Sequence, residues 1–237
     1  MYILLHGAWH ASWCWSRVTP IIESQGHKVL TLDLSGHDTT LKGITLKTYV
    51  DAITTLIKLQ NKPVILVGHS MSGVVISQLA ENIPEHIEAL VYVSGFIPVN
   101  NGSLADEEEN SIVQNVRKET IIDEKNNKIV LKSSPRIQEL FYNTCKEEDA
   151  IWAVNKLNAQ PFSPFVDKVT LSAERFGAVA KFYIECLKDQ AIDIKDQRRM
   201  YSKVKPKVFS LDTDHSPFLC APEALSSILL EQEIIRS

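Results

Sequence analysis

Short runs of aliphatic residues alternate along the chain with longer segments in which apolar residues recur every three or four positions. The aliphatic runs predict β-strands, because a strand buried on both faces is apolar at every position. These strands lie at residues 2–5, 28–32, 64–67, 89–93, 181–186 and 207–211. The helical spacing predicts helices at residues 13–24, 46–59, 70–82, 194–201 and 222–236. The alternation predicts an α/β fold with a mostly parallel central sheet flanked by helices.

The spacing of strands is interrupted once, between residues 93 and 181, by a segment far longer than an ordinary crossover. We interpret residues 97–172 as an inserted cap, with residues 1–96 and 173–237 forming the core. Within the cap, acidic residues 102–110 predict a mobile entry loop, and residues 119–131 predict a hairpin that turns at Asn126-Asn127. Helical spacing predicts two helices, at 135–145 and 147–157.

The turn after the third predicted strand has the sequence Gly68-His69-Ser70-Met71-Ser72-Gly73. A serine on a strained turn from strand to helix projects its hydroxyl above the end of a sheet, where a base and a carbonyl carbon both reach it. The pattern departs from G-x-S-x-G because Ser72 stands where the second glycine is usual, and we interpret this small residue as tolerated. Ser70 is therefore the predicted nucleophile. The alternative is an ordinary connection between a strand and a helix.

His215 is the predicted general base. In folds with this kind of turn the nucleophile comes first along the chain, then the acid and then the histidine. His215 is the histidine near the C-terminus, in the loop after the last predicted strand. That loop lies at the carboxyl edge of the sheet, where ligand sites collect. The alternative is a surface histidine.

The predicted acid is chosen from the aspartates between the cap and His215, which are Asp189, Asp193, Asp196, Asp212 and Asp214. Asp189 follows the carboxyl end of the strand at 181–186, where a carboxylate can accept the imidazole N–H and fix its tautomer. Asp193 and Asp196 fall where a helix begins. Asp212 and Asp214 belong to the histidine's own loop and are expected to shape its turn. We predict Asp189, with Asp214 as the alternative.

The loop after the first strand, His6-Gly7-Ala8-Trp9-His10, is the candidate source of an oxyanion donor. Acyl transfer needs two backbone N–H groups aimed at the developing oxyanion, one from the residue after the nucleophile and one from an early loop. Met71 and Ala8 are the predicted donors. The turn at residues 33–38 is expected at the same edge of the sheet. The predicted substrate contacts are His10, Trp152, Phe162 and Phe218, although a histidine here is more often a bridge between loops.

Composition excludes several classes of function. The chain has 237 residues, is 44% hydrophobic and carries a net charge of −4. It gives no reason to expect nucleic acid or a membrane surface as a partner. No apolar run approaches the roughly 20 residues that cross a bilayer. No basic stretch precedes the first strand, so no signal peptide is predicted.

The cysteines predict a cytoplasmic protein without a metal centre. Cys14, Cys145, Cys186 and Cys220 are scattered without metal-binding spacing, and we interpret them as reduced, buried thiols. A phosphate-binding glycine loop is also missing from the sequence. We predict no metal and no cofactor.

The first-loop motif, the Ser70 motif and three further motifs together resemble one group of α/β-hydrolases. The further motifs are Trp13-Cys14-Trp15, Glu174-Arg175-Phe176-Gly177, and Asp214-His215 followed by Cys220-Ala221-Pro222-Glu223. The group contains plant methyl-ester esterases of the salicylate-binding type, the related hydroxynitrile lyases and bacterial esterase relatives. The resemblance extends over nearly the whole chain. It implies a Ser70–Asp189–His215 triad with Ala8 and Met71 as oxyanion donors. In the lyase branch a lysine follows the catalytic histidine. Ser216 stands there in this chain, which favours an esterase.

The predicted function is therefore hydrolysis of carboxylic esters through an acyl-enzyme, with small, largely apolar or aromatic substrates. Two alternatives remain, because this fold hosts many chemistries. One is a hydroxynitrile lyase or another non-hydrolytic enzyme that uses the same triad, and the other is a ligand-binding protein. The predicted partner is a small-molecule ester, and a homodimer is compatible with the sequence.

Overall fold

The computed structural model describes residues 1–36 and 41–235. The strands in these residues are β1 (Tyr2–Leu5), β2 (Val29–Leu32), β3 (Val64–His69), β4 (Ile87–Val93), β5 (Thr120–Asp123), β6 (Lys128–Leu131), β7 (Gln160–Pro161), β8 (Ala180–Cys186) and β9 (Lys207–Leu211). The α-helices are α1 (Thr19–Ser24), α2 (Leu46–Lys58), α3 (Ser72–Asn82), α4 (Leu104–Glu109), α5 (Asn115–Lys118), α6 (Arg136–Tyr142), α7 (Glu147–Val154), α8 (Ser163–Val166), α9 (Ile194–Ser202), α10 (Pro217–Cys220), α11 (Pro222–Leu229) and α12 (Gln232–Ile235). Within the described ranges, every helix is too short or too polar to cross a bilayer.

The central sheet has six parallel strands in the order β2-β1-β3-β4-β8-β9, which confirms the predicted α/β fold. The chain moves from β1 to β2 on one side and returns to β3 on the other. The order of strands therefore reverses between β1 and β3. Ligands of open α/β sheets bind in the crevice that such a reversal opens at the carboxyl ends of the strands. The loops after β1 and β3 meet there, because Leu5 pairs with Gly68 at the ends of the two strands.

Burial explains why the sheet is easily predicted from sequence. All residues of β1 and β3 are buried, so these strands lie in the middle of the core with helices on both faces. Helix α2 begins at a capping box, in which Thr45 and Thr48 satisfy each other's backbone N–H groups. Its buried residues Leu46, Tyr49, Val50, Ile53 and Ile57 repeat at helical spacing.

Two predicted helices are divided in the structure. Residues 13–24 form a short 3₁₀ turn, Ser12–Trp15, and then α1, because Pro20 fits only the first turn of a new helix. Residues 222–236 form α11 and α12, and Arg236 lies outside the described residues. His37 and Asp38 of the predicted turn at 33–38 also lie outside the described residues.

The segment between β4 and β8, residues 94–179, is called the insertion here. Its antiparallel strands β5 and β6 form the predicted hairpin, and Asn127 has the positive φ of 53° that the turn requires. Strand β7 adds to β6, which the sequence did not predict. Helices α6 and α7 confirm the two predicted helices.

The expectation of a mobile entry loop at residues 102–110 is wrong. Residues 104–109 form helix α4, which Ser103 and Asp106 start with reciprocal hydrogen bonds to each other's backbone N–H groups. Acidic residues in the first turn also favour a helix, because its N-terminus carries partial positive charge.

Candidate active site

Ser70 lies between β3 and α3 with a left-handed backbone, φ 52°. Hydrogen bonds fix the turn on both sides. The Ser70 N–H donates to the carbonyl of Val93 at 3.2 Å, and the Ser70 carbonyl accepts the N–H groups of Gly73 and Phe96 at 3.0 Å each. A Cβ atom at Gly7 would lie 2.9 Å from the Ser70 Cβ, so the glycine allows the first loop to approach the serine. This strained turn presents the hydroxyl at the carboxyl edge of the sheet.

Asp189 and His215 form a buried pair beside this edge. The His215 Nδ1 lies 2.7 Å from Asp189 Oδ2, and both side chains are at most 2% exposed. The other carboxylate oxygen of Asp189 accepts the backbone N–H groups of Ala191 and Ile192 at 2.7 and 2.8 Å. With the carboxylate fixed in this way, the imidazole carries its proton on Nδ1 and leaves Nε2 free to accept one.

The remaining aspartates are used elsewhere. Asp193 caps α9, and Asp212 pairs with Lys188 at 2.6 Å. Asp196 accepts a backbone N–H from Ile112 and pairs with Arg199. Asp214 accepts hydrogen bonds from the backbone and hydroxyl of Thr144, at 2.7 and 2.9 Å, and from the Ser216 N–H at 2.9 Å. Asp214 therefore shapes the loop before His215, as expected for the weaker candidate.

Ser70 and His215 line one small cavity. Its other lining residues are Ala8, Trp9, Met71, Phe96, Leu104, Glu108, Val116, Phe141, Phe165, Ala191 and Ile192. Within the part of the chain that the structure describes, no hydrogen bond joins the Ser70 hydroxyl to the His215 ring. Catalytic hydrogen bonds are often long in a free enzyme and shorten when substrate binds.

Two backbone N–H groups at this cavity lack a protein acceptor. Within residues 1–36 and 41–235, neither the Ala8 N–H nor the Met71 N–H donates a hydrogen bond. Ala8 lies in the loop after β1, and Met71 directly precedes α3. Since buried backbone donors are normally paired, these two free ones beside a serine are available to an acceptor on a ligand.

All four predicted substrate contacts lie outside this cavity. The His10 ring bonds the Ala8 carbonyl and the Tyr142 hydroxyl at 2.8 Å each, so it joins the first loop to the insertion. Trp152 packs edge-on against Trp13 at the surface, with ring centroids 5.1 Å apart. Phe218 is fully buried. Phe162 lines a neighbouring cavity of about 230 Å³. His10 and Trp152 thus join the insertion to the core, whereas Phe218 packs against the His69 ring within the core.

The sequence did not reveal the residues that position the pair. The His69 Nε2 donates to the His215 carbonyl at 2.8 Å, and the two rings lie 4.7 Å apart. Burial, with smaller effects from the His215 and His10 rings, lowers the pKa of His69 well below its usual value, so this ring stays neutral. Ser94 and Gln197 donate to Asp189 Oδ2, the latter at 3.4 Å. Only the adjacency of His69 to Ser70 could have been noticed beforehand.

The interpretation of the cysteines needs correction. Cys145 and Cys220 are not scattered: their sulfur atoms and a carboxylate oxygen of Asp214 all lie within 4.8 Å of one another. Both residues are partly exposed, whereas Cys14 and Cys186 are buried as expected. All four are free thiols. The two thiols donate to Asp214, at 3.5 and 3.2 Å, and so help to fix the loop before His215.

Glu108 is an acidic residue in an otherwise apolar part of the cavity. Burial raises the pKa of its carboxyl group to about 7, and the positive charge of Arg117 only partly opposes this shift. The residue as a whole is half-buried, because it faces open space within the cavities that it lines. Near neutral pH this carboxyl group is therefore present in both its protonated and its ionised form.

Replacing Glu108 with glutamine should change how stability depends on pH. The folded protein holds the Glu108 proton up to about pH 7, whereas the unfolded chain loses it near the ordinary value of 4.5. Since the folded state binds more protons between these values, the wild-type free energy of unfolding falls as pH rises through that window. The advantage of Glu108→Gln should grow across it by about 1–3 kcal/mol and then level off. Urea unfolding at a series of pH values measures this, and a constant difference across the window contradicts it.

Comparison with known proteins confirms the resemblance to plant methyl-ester esterases. A model described as alpha/beta hydrolase family matches residues 2–228. Putative methylesterase 11, chloroplastic, of Arabidopsis thaliana is 32% identical over 97% of this chain, which spans only 63% of that protein's length. Salicylic acid-binding protein 2 of Nicotiana tabacum is 31% identical, over 97% of this chain and 95% of its own. The crystal structure of polyneuridine aldehyde esterase matches with a TM-score of 0.82 at 25% identity, covering 97% of each chain.

Proposed function

The chain belongs to the alpha/beta hydrolase family, and from this premise we propose that it is a serine esterase that cleaves small carboxylic esters. The observation that supports the proposal most is the content of one cavity. The left-handed Ser70, the Asp189-bound His215 and the free N–H groups of Ala8 and Met71 meet there. This set is what acyl transfer requires. The esterases among the relatives support the same conclusion.

In the acylation step, the Ser70 hydroxyl oxygen attacks the ester carbonyl carbon while His215 Nε2 takes the hydroxyl proton. Asp189 holds the ring in the orientation that this transfer needs and stabilises the imidazolium that forms. The carbonyl oxygen gains negative charge and is bound by the N–H groups of Ala8 and Met71, each worth about 3 kcal/mol in the transition state. The C–O bond of the ester then breaks, and the alcohol leaves with the proton from His215.

In the second step, a water molecule attacks the acyl-enzyme. His215 takes a proton from the water, and the oxyanion forms again between the same two N–H groups. When the tetrahedral intermediate collapses, the carboxylic acid is released and the proton returns to the Ser70 oxygen. Apart from water and Asp189, which holds the His215 ring, the cycle uses only groups that line the cavity.

The walls of the cavity favour a small, largely apolar or aromatic substrate. Trp9 belongs to the first loop, while Phe96, Leu104, Phe141 and Phe165 come from the insertion. We assign residues 97–172 the role of a cap that covers Ser70 and excludes water from the reaction.

A serine-reactive aryl phosphonate tests the nucleophile directly. We expect one covalent adduct per chain, located on the Ser70 peptide by mass spectrometry and missing in Ser70→Ala. Hydrolysis of p-nitrophenyl esters and aromatic methyl esters by the wild type is then measured with and without the inhibitor. Turnover should stop in proportion to the labelled fraction.

Other outcomes separate the alternative functions. A labelled protein that releases an aldehyde from cyanohydrins, but hydrolyses no ester, is a lyase that uses the same serine. A folded protein that binds aromatic esters without turnover and without labelling is a ligand-binding member of the family. Either result contradicts the esterase proposal.

A further inference from the structure

Glu108 lies at the junction of three cavities. It lines the cavity that contains Ser70 and His215, the neighbouring cavity of about 230 Å³ that Phe162 also lines, and a third, smaller cavity. A group that extends from the serine into either neighbouring cavity therefore passes this side chain.

The fold directs the Glu108 side chain toward these cavities. Helix α4 starts at the Ser103–Asp106 capping box, and Leu104, one turn before Glu108, lines the same cavity. The preceding residue, Glu107, is buried and pairs with Arg199 and Lys203 of the α9 region, at 2.7 and 2.8 Å. These pairs fix the rotation of α4, so that one glutamate is turned to α9 and the next to the cavity.

The Glu108 carboxyl group has no hydrogen-bond donor among the residues that the structure describes. The charged or titratable groups that share its cavities are Glu109, Arg117, Glu124 and His215. Arg117 is the cation among them, and it pairs with Glu109 at 3.7 Å. His215 is held by Asp189. Because no described protein group donates to this carboxyl group and it faces cavities that can admit a ligand, a donor on the ligand can pair with it.

The surroundings make such a hydrogen bond selective. Val116, Ile192 and Phe165 line the same cavity as Glu108, and their side chains offer no polar group. In a site of this kind, an apolar ligand leaves the carboxyl group unpaired, whereas a ligand with a donor restores the bond lost on desolvation.

We propose that Glu108 is the polar anchor of the substrate site and selects esters that carry a hydroxyl group remote from the ester carbonyl. This inference rests on the proposed esterase function, because it assigns the part of the substrate beyond the reacting carbon. The hydroxyl donates to the Glu108 carboxylate while the ester carbonyl lies between Ser70 and the two free N–H groups. Glu108 takes no part in bond breaking.

The test measures binding apart from hydrolysis. The ligands are methyl esters of arylalkanoic acids of increasing chain length, each as a pair with and without a para-hydroxyl group. Calorimetry gives the Kd of each ester for Ser70→Ala protein, and for the same protein carrying Glu108→Leu, Glu108→Gln or Glu147→Leu. Glu147 is exposed at the start of α7 and is the matched control for loss of a carboxylate.

For at least one chain length, we expect the hydroxyl to tighten binding about 10–100-fold in Ser70→Ala and in the Glu147→Leu control. Glu108→Leu should abolish this preference, and Glu108→Gln, whose amide still accepts a hydrogen bond, should keep part of it. Equal affinity within every pair, or a preference that survives Glu108→Leu, overturns the proposal. Wild-type turnover of the same esters reports separately on the esterase function, so that a failure of one proposal is distinguishable from a failure of the other.

Discussion

Ser70→Ala is expected to lower kcat/KM for p-nitrophenyl esters by about 10⁴–10⁶-fold, because it removes the atom that becomes acylated. Ser72 cannot substitute for it, since its hydroxyl is fully buried and donates to the His6 carbonyl. The variant should stay folded: alanine adopts the φ of 52° at a cost similar to that of serine. Initial rates and thermal unfolding of both proteins check the two statements.

Asp189→Asn and Ser24→Ala complete this test. An asparagine at 189 presents an amide N–H₂ to His215 or to the two backbone donors that now bind the carboxylate. The imidazole is then no longer held in the tautomer that carries its proton on Nδ1. A loss in kcat of about 10⁴-fold is therefore expected. Ser24 is exposed in α1, and its replacement should leave the rate unchanged. Substantial ester turnover by a folded Ser70→Ala protein would refute the assignment of the nucleophile.

Gly73→Ala is expected to destabilise the protein by at least about 2 kcal/mol, which places it among the more damaging single substitutions. An ideal Cβ at Gly73 would lie 2.2 Å from the Phe96 carbonyl oxygen and 2.9 Å from the Phe96 nitrogen. Both are backbone atoms that cannot rotate away. Helix α3 and the segment after β4 must separate, which breaks the hydrogen bond from the Phe96 N–H to Ser70 and lowers activity as well.

Gly26→Ala is the matched control for this substitution. Gly26 has a positive φ of 83°, but a Cβ there meets no atom within 4 Å. Its replacement costs only the strain of a left-handed alanine, about 1–2 kcal/mol. Urea unfolding should rank Gly73→Ala as the less stable variant, and only Gly73→Ala should lose esterase activity. The opposite ranking would show that α3 has room to move.

The central sheet could be predicted because its strands are buried on both faces. An unbroken aliphatic run such as 64–67 is typical of a buried strand, and the serine that follows it marks the carboxyl edge. The position of Asp189 followed from the same logic, since it comes directly after β8. Ser72 was understood only in part. It is the next residue, Gly73, that allows the close contact between helix and loop.

The insertion was predicted less well, because composition was given more weight than local hydrogen bonding. Residues 102–110 are acidic and suggested a loop, yet the spacing of Ser103 and Asp106 is that of a capping box. His10 shows a different limit. Its partner Tyr142 is 132 residues away, so nothing near it in the sequence indicates that its ring is already bonded. Glu108 was not predicted either, because the burial of one glutamate in a run of three depends on how α4 is rotated.

The hydrogen bonds from Thr144 to Asp214 join the insertion to the loop that carries His215. A chimaeric protein that receives the insertion of a relative would acquire new cavity walls at Leu104, Phe141 and Phe165. It would also lose the support of that loop unless the graft supplies a hydroxyl residue at position 144. The residues of the insertion that line the cavity can thus be exchanged, whereas those that support the His215 loop cannot. A graft designed to change specificity has to retain Thr144 to keep the rate.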